Sequence, residues 1–358
     1  MGPPTQVRNL RRSAPTIPLP SRGDGALSTN GIAARCLVSD LSEAARLLPL
    51  RAETRRARRG PDLPFALSAP LREILLGVIE IERDGVPRDS ATVILLREEE
   101  PGFSVFMVRR HAKAGFMAGA YVFPGGTLDE ADRAPSLLAR VTGRAAGEAA
   151  RVIAEDDGER ALALHVAALR ETFEEAGVLL AEGVDPATLE DARRRLIGGE
   201  LSFEALVAEL DVRLLADALT PLSRWVTPEV EPRRYDARFF LARAPREQRA
   251  AHDRVEVTAG EWLRPSDALE RGARGEISLP PPTLRTLECL GAFSTLEQAL
   301  EDAASRPPPL VRPAFCQLDT TWALTLPGDP EHPEPDRVIA GPTRFVLIDG
   351  VFRSVDPA

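Results

Sequence analysis

The chain has 358 residues, of which 44% are apolar and 28% charged, with a formal net charge of -9; this suits a globular protein with one enzyme-sized core and additions. The acidic balance argues against duplex nucleic acid as the main partner, because phosphate binding needs a positive footprint, and no apolar run reaches the roughly 20 residues that cross a bilayer. Cys36, Cys289 and Cys316 are widely spaced with no CxxC pair, so neither a disulfide framework nor a zinc knuckle is indicated and a reducing, cytoplasmic setting is expected.

Residues 1–72 mix Arg and Pro without a sustained period ("RNLRRSAP", "RAETRRARRG") and read as a mostly disordered leader with a short helix near "SDLSEAARLL". Its prolines interrupt any amphipathic transit helix, and "MGPPTQ" lacks the Ser or Thr of a myristoylation signal. Order is expected from residue 73. "SATVILLRE" (90–98) and "FSVFMVRR" (103–110), joined through Pro101 and Gly102, predict a hairpin. "GAYVFPGG" (119–126) predicts a short strand running into a sharp turn, where Pro124 fixes one dihedral and Gly125 and Gly126 admit unusual ones.

Residues 127–156 are polar and Ala-rich, with one or two helices expected. A longer helix follows, with Asp156 as N-cap, Glu159 as its capping-box partner and Gly177 as a left-handed end. Leu162, Val166, Leu169, Phe173 and Ala176 give it a buried stripe. Residues 186–220 read as helical again, including "FEALVAELDVRLLADAL". Strands are expected at "ARFFLARA" and "VEVTAGEWLRP", a helix at "PSDALERGARG", and short apolar runs in a Pro-rich tail. His111, His165, His252 and His332 are scattered and read as structural.

Within the long helix, Glu171, Glu174 and Glu175 stand at i, i+3 and i+4, so the three carboxylates share one face and repel one another. Taken alone, such a pattern is more often a solvated acidic surface. The context is different here. Arg170 lies four residues before Glu174, where paired hydrogen bonds can orient a carboxylate, the other face carries the apolar stripe, and the upstream glycine turn offers backbone amides to phosphate oxygens. Together these describe a hard-cation site suited to Mg²⁺ shared with a phosphorylated substrate.

"RETFEEAGV" (170–178) resembles the second half of the Nudix box, with Arg170, Glu171, Glu174, Glu175, Gly177 and Val178 in register. Upstream, Gly126 and Asp132 match its first half, with Asp standing where the family has Glu and a long segment, about 133–158, inserted before Arg170. A box split in this way resembles the branch of peroxisomal coenzyme A diphosphatases of animals. "RRHAKAGFMAGAYVFPGG", "LSRWVTPEVEPRRYDARFFLA" and "EISLPPPTLRTLE" extend the likeness.

The resemblance implies a Nudix α/β/α sandwich with a mixed sheet over residues 73–300, a helical insertion in the box, and a C-terminal extension, 301–358, with short strands. It implies a diphosphatase dependent on Mg²⁺ or Mn²⁺, with Glu171, Glu174 and Glu175 as metal ligands and Arg170 orienting Glu174. The family usually needs another carboxylate outside the box, and Glu256, six residues before Trp262, is the candidate; a strand-edge glutamate is the bland reading of the same residue. Gly125, Gly126, Arg233 and Arg234 are candidate substrate contacts, with Trp225 and Tyr235 beside them, although a Pro-bounded loop with surface arginines is the slightly favoured bland reading of that stretch. The substrate expected is a small nucleotide, coenzyme A or acyl-CoA, with ADP-ribose or a nucleotide sugar as the enzymatic alternative. A nucleotide-sensing module without catalysis is the rival of another class; the retained glutamates weigh against it. Neither nucleic acid nor a membrane is an expected partner, and the sequence sets no oligomeric state.

Overall fold

The computed structural model describes residues 85–111, 119–251, 257–318 and 321–357. The expected leader and the first expected ordered residues, 73–84, lie outside this set, and so does the candidate Glu256, in the gap before residue 257.

The two apolar runs of the first hairpin form β1 (Arg88–Glu98) and β2 (Phe103–Arg110), antiparallel with Leu96 opposite Val105. β3 (Tyr121–Val122) pairs with β2, and β4 (Gly125–Thr127) pairs with β1 where β2 has diverged, placing Gly126 opposite Ala91. The first half of the box ends in a 3-10 turn (Glu130–Arg133), and the inserted segment supplies α1 (Pro135–Leu138), β5 (Val141–Thr142) and α2 (Ala146–Ile153) before the long helix α3 (Gly158–Ala176). Next come β6 (Ala181–Glu182), α4 (Leu189–Ile197), α5 (Phe203–Glu209) and β7 (Arg213–Leu215). The expected helical run through residue 220 therefore breaks after α5. Asp211 adopts a left-handed conformation that ends the helix, and β7 pairs with both β5 and β6.

β8 (Thr220–Val226) and β9 (Tyr235–Arg243) form a second antiparallel hairpin, and β9 runs parallel to β1. β10 (Val257–Leu263), α6 (Pro265–Ala273), α7 (Pro281–Leu290), α8 (Leu296–Ala304) and β11 (Leu310–Val311) follow. The mixed sheet has the order β10-β2-β1-β9-β8-β11. Strands β12 (Ala314–Gln317), β13 (Trp322–Thr325), β14 (Arg344–Ile348) and β15 (Val351–Val355) make a separate antiparallel meander.

The main sheet is apolar on both faces because its side chains alternate sides. Ala91, Val93 and Leu95 of β1 and Phe106 and Val108 of β2 join a core with α2, α3, α4 and α5. Ile94 and Leu96 with Val105 and Met107 face the other way, toward α6, α7 and α8. This is a three-layer α/β/α sandwich. Among the described residues no helix is long and apolar enough to cross a membrane.

The position of α3 follows from its two ends. Its N-cap is Asp157, whose carboxylate accepts from the amides of Glu159 and Arg160; the expected cap at Asp156 is one residue early. Gly177, with φ of 71°, ends it as expected. Between these ends α3 is buried at every position from Ala163 to Phe173. That is more than a stripe, because the insertion and α4 and α5 wrap the side away from the sheet.

An ion cluster fixes the first turn of α3 to the sheet. The buried Arg238 of β9 donates to Asp89 at 2.9 Å and to Glu155 at 2.8 Å, while Arg160 of α3 meets the same Asp89 through two bonds of 2.8 and 2.9 Å. Asp236 completes it, taking two bonds from Arg224. Since Glu155 closes the insertion and Asp89 precedes the residues of β1 that pair with β4, one set of charges holds the inserted segment, the long helix and the glycine strand in register.

Candidate active site

Arg170 is buried and every N–H of its guanidinium has an acceptor. Its Nε and Nη2 donate to the two oxygens of Asp132 at 2.8 and 2.9 Å, and Nη2 also reaches the carbonyl of Thr127 at 3.0 Å. Nη1 donates to Glu171 Oε1 at 2.8 Å and to Glu174 Oε2 at 3.2 Å. Burial by itself would make this arginine easier to deprotonate, but the bonds to Asp132 and the charges of Glu171, Asp132 and Glu174 outweigh it and raise its pKa. Arg170 is therefore a permanent cation that holds two of the helix carboxylates in place.

Asp132 is itself buried, and it also accepts from the amide of Asp129 at 2.9 Å. The shorter carboxylate in the first half of the box thus still reaches the arginine of the second half, across the insertion.

The glycine strand meets the carboxylates directly. The amide of Gly125 donates to Glu175 Oε2 at 3.0 Å. A Cβ on Gly126 would collide with the Glu171 carboxylate, standing 2.6 Å from Oε2, and one on Gly125 would come within 2.7 Å of Thr92 Cα in β1. The expectation that these glycines supply unusual dihedrals is corrected here: neither has a positive φ, both lie in β4, and what they supply is room for close approach. The amide expected to face phosphate at Gly125 is directed at Glu175 instead.

Glu171 and Glu175 are buried, while the Glu174 side chain keeps 27% of its surface exposed. The carboxylates share one helix face as expected, yet among the described residues no three His, Cys, Asp or Glu side chains converge closely enough to form a metal cage. The donor set still fits a hard divalent cation. All the donors are oxygens, two are held by Arg170, and Mg²⁺ takes one or two carboxylates while completing its shell with water and substrate phosphate.

The remaining candidates separate. Trp225 is buried in the core on the face away from α3, where its Nε1 donates to Ser223 at 3.2 Å, so it is not placed to stack on a base. Arg233 is exposed. Arg234 donates to the carbonyls of Thr227 and Gly85, and Tyr235 opens β9 opposite Arg88. Glu256 lies outside the described residues.

Sequence reasoning passed over Arg193 of α4. Its Nε and Nη2 both donate to the carbonyl of Glu174, at 2.9 and 2.7 Å, and Nη1 donates to the carbonyl of Ala251 at 2.7 Å. No motif marks it, because it stands in a run of three arginines whose neighbours pair with surface acids: Arg194 with Asp191 and Arg195 with Glu209.

A mixed sheet between helical layers, with an Arg-Glu-x-x-Glu-Glu helix packed against a Gly-Gly strand, defines a Nudix hydrolase. A family model described as the NUDT19 Nudix domain matches residues 87–290, and the chain belongs to that family. Nudix hydrolases generally use divalent metal ions. A relative from Gallus gallus named acyl-coenzyme A diphosphatase NUDT19 is 32% identical over 289 residues, 65% of this chain and 74% of the relative. Its Homo sapiens namesake is 31% identical over 233 residues, 54% of this chain and 62% of the relative. Among solved structures, a NUDIX hydrolase from Alicyclobacillus acidocaldarius superposes with a TM-score of 0.52 at 30% identity, covering 61% of this chain and 97% of its own.

Proposed function

We propose that the protein hydrolyses the pyrophosphate bond of coenzyme A or acyl-CoA, with Mg²⁺ or Mn²⁺ bound by Glu171, Glu174 and Glu175. The observation that carries this reading is the Arg170-centred array: a buried cation aligns Glu171 and Glu174 while Gly125 holds Glu175, so the three carboxylates are oriented before any ligand arrives. The names of the relatives support the choice of substrate.

When bound, the divalent ion offsets charge on the phosphate oxygens and lowers the pKa of an attacking water. The chain's own residues do the rest. Glu174 is the most exposed of the three carboxylates, with Arg170 fixing its direction. Glu171 and Glu175 are held by Arg170 and by β4, so neither needs to reorganise during the reaction. Glu256 is the carboxylate from outside the box that accepts the proton of the water, and Arg233 and Arg234, in the loop before β9, offer positive charge to the nucleotide phosphates.

The test is a substrate panel of coenzyme A, acyl-CoA, ADP-ribose and dinucleoside polyphosphates with Mg²⁺ or Mn²⁺, using Glu174→Gln as control. Metal-dependent cleavage of coenzyme A or acyl-CoA that the variant loses is the expected outcome. Preference for ADP-ribose would retain the site and reject the substrate, and metal binding without cleavage of any member would favour a sensing module.

A further inference from the structure

We propose that Arg193 is a positioning residue for the carboxylate-bearing last turn of α3. This rests on the metal site proposed above and adds to it a residue from outside the Nudix box.

The last turn of α3 is electrostatically awkward. The C-terminal end of a helix carries partial negative charge from unpaired carbonyls, and here that end bears Glu174 and Glu175, with no basic residue of its own in the final turn. Arg193, on the neighbouring α4, supplies the missing cation. It donates two N–H groups to one carbonyl, that of Glu174, so it grips the backbone of a proposed ligand and not merely its charge.

Its approach depends on Gly177. A Cβ there would stand 2.9 Å from Arg193 Nη1, so the residue that ends the helix in a left-handed conformation also leaves space for the guanidinium. The third contact extends the clamp to another segment. Arg193 Nη1 holds the carbonyl of Ala251, while the amide of Ala251 donates to the carbonyl of Ala176 at 2.8 Å. One side chain thereby ties the end of α3 to the segment that ends at Ala251.

Charge and position make opposite predictions for metal binding. If Arg193 acted only through its charge, its removal would strengthen binding of a divalent cation, because a repelling neighbour would be gone. If it positions the turn, its removal weakens binding, since the carboxylates lose their fixed orientation.

The experiment is Mn²⁺ binding to the full-length protein, followed by the electron paramagnetic resonance signal of free Mn²⁺. It compares wild type with Arg193→Ala, Arg193→Lys and Glu174→Gln, at a temperature where circular dichroism shows each to be folded. We expect Arg193→Ala to bind Mn²⁺ on the order of 10-fold more weakly, with Arg193→Lys between it and wild type, and kcat to fall with little change in KM. Unchanged or tighter Mn²⁺ binding by folded Arg193→Ala and Arg193→Lys, while Glu174→Gln binds weakly, would overturn the positioning role alone. Equal binding by wild type and Glu174→Gln would overturn the metal site, and this inference with it.

Discussion

Arg170 and Asp132 are joined by two parallel hydrogen bonds, although 37 residues separate them in the chain. The bond spans the insertion and makes the two halves of the box one unit. Asp132→Ala would leave a buried guanidinium with part of its donors unpaired, at a cost of about 3–5 kcal/mol. Urea denaturation should show that loss, and the Mg²⁺ concentration for half-maximal activity should rise because Arg170 no longer holds Glu171 and Glu174. Stability within 1 kcal/mol of wild type, on the order of a surface substitution, would contradict this account.

The two glycines of β4 separate activity from folding. Gly126→Ala drives a methyl into the carboxylate of Glu171, a side chain that can shift, so activity should fall on the order of 100-fold with a moderate loss of stability. Gly125→Ala meets the backbone of Ala91 and Thr92 in β1, which cannot shift without breaking strand pairing, so its main effect should be on the melting temperature. Measuring Tm and kcat for both variants checks the ranking; a larger activity loss per degree of Tm in Gly125→Ala would reverse it.

The box was legible in the sequence because its physics is local. Glu171, Glu174 and Glu175 share a face at helical spacing, Gly177 ends the helix, and the short β-rich apolar runs in "SATVILLRE" and "FSVFMVRR" report strands buried on both faces. What was illegible depends on contacts across the fold. Trp225 has the same composition cue whether it stacks on a nucleotide or fills a core, and only the packing of β8 against the helices decides for the core. Arg193 looks like its neighbours Arg194 and Arg195 until α4 is laid against the end of α3. The twin glycines suggested a turn, whereas close approach to Glu171 explains them, and that neighbour is 45 positions away.

The cluster around Arg238 should be required for folding more than for chemistry. Arg238 is the buried partner of Asp89 and Glu155, and both carboxylates would be left with fewer donors in Arg238→Met. Breaking one side of a buried pair costs about 3–5 kcal/mol. The variant should unfold at lower urea concentration, and its released insertion should show faster amide exchange in α2. An unchanged urea midpoint would show that Arg160 and Arg224 suffice to hold the acids.

His165 sets a pH limit on the fold. It is fully buried in α3, its Nδ1 donates to the carbonyl of Ala161 at 2.8 Å, and its Nε2 faces Arg144 at 3.4 Å. Burial lowers its pKa from 6.5 to about 4, helped by the charge of Arg144 and opposed by the bond to Ala161. The folded protein therefore keeps the ring neutral where the unfolded chain would protonate it. Between pH 6.5 and 4 the unfolded state binds more protons, so stability falls as pH falls through that window, by up to about 3 kcal/mol; below pH 4 both states are protonated and this contribution no longer changes. His165→Leu removes the titration at the expense of the two polar contacts. Its urea midpoint should start lower than wild type at pH 7.5 and decline less steeply toward pH 4, so the two curves approach one another. Parallel curves across that range would mean that His165 is protonated in the folded protein, and that the ring is not the neutral core residue its surroundings require.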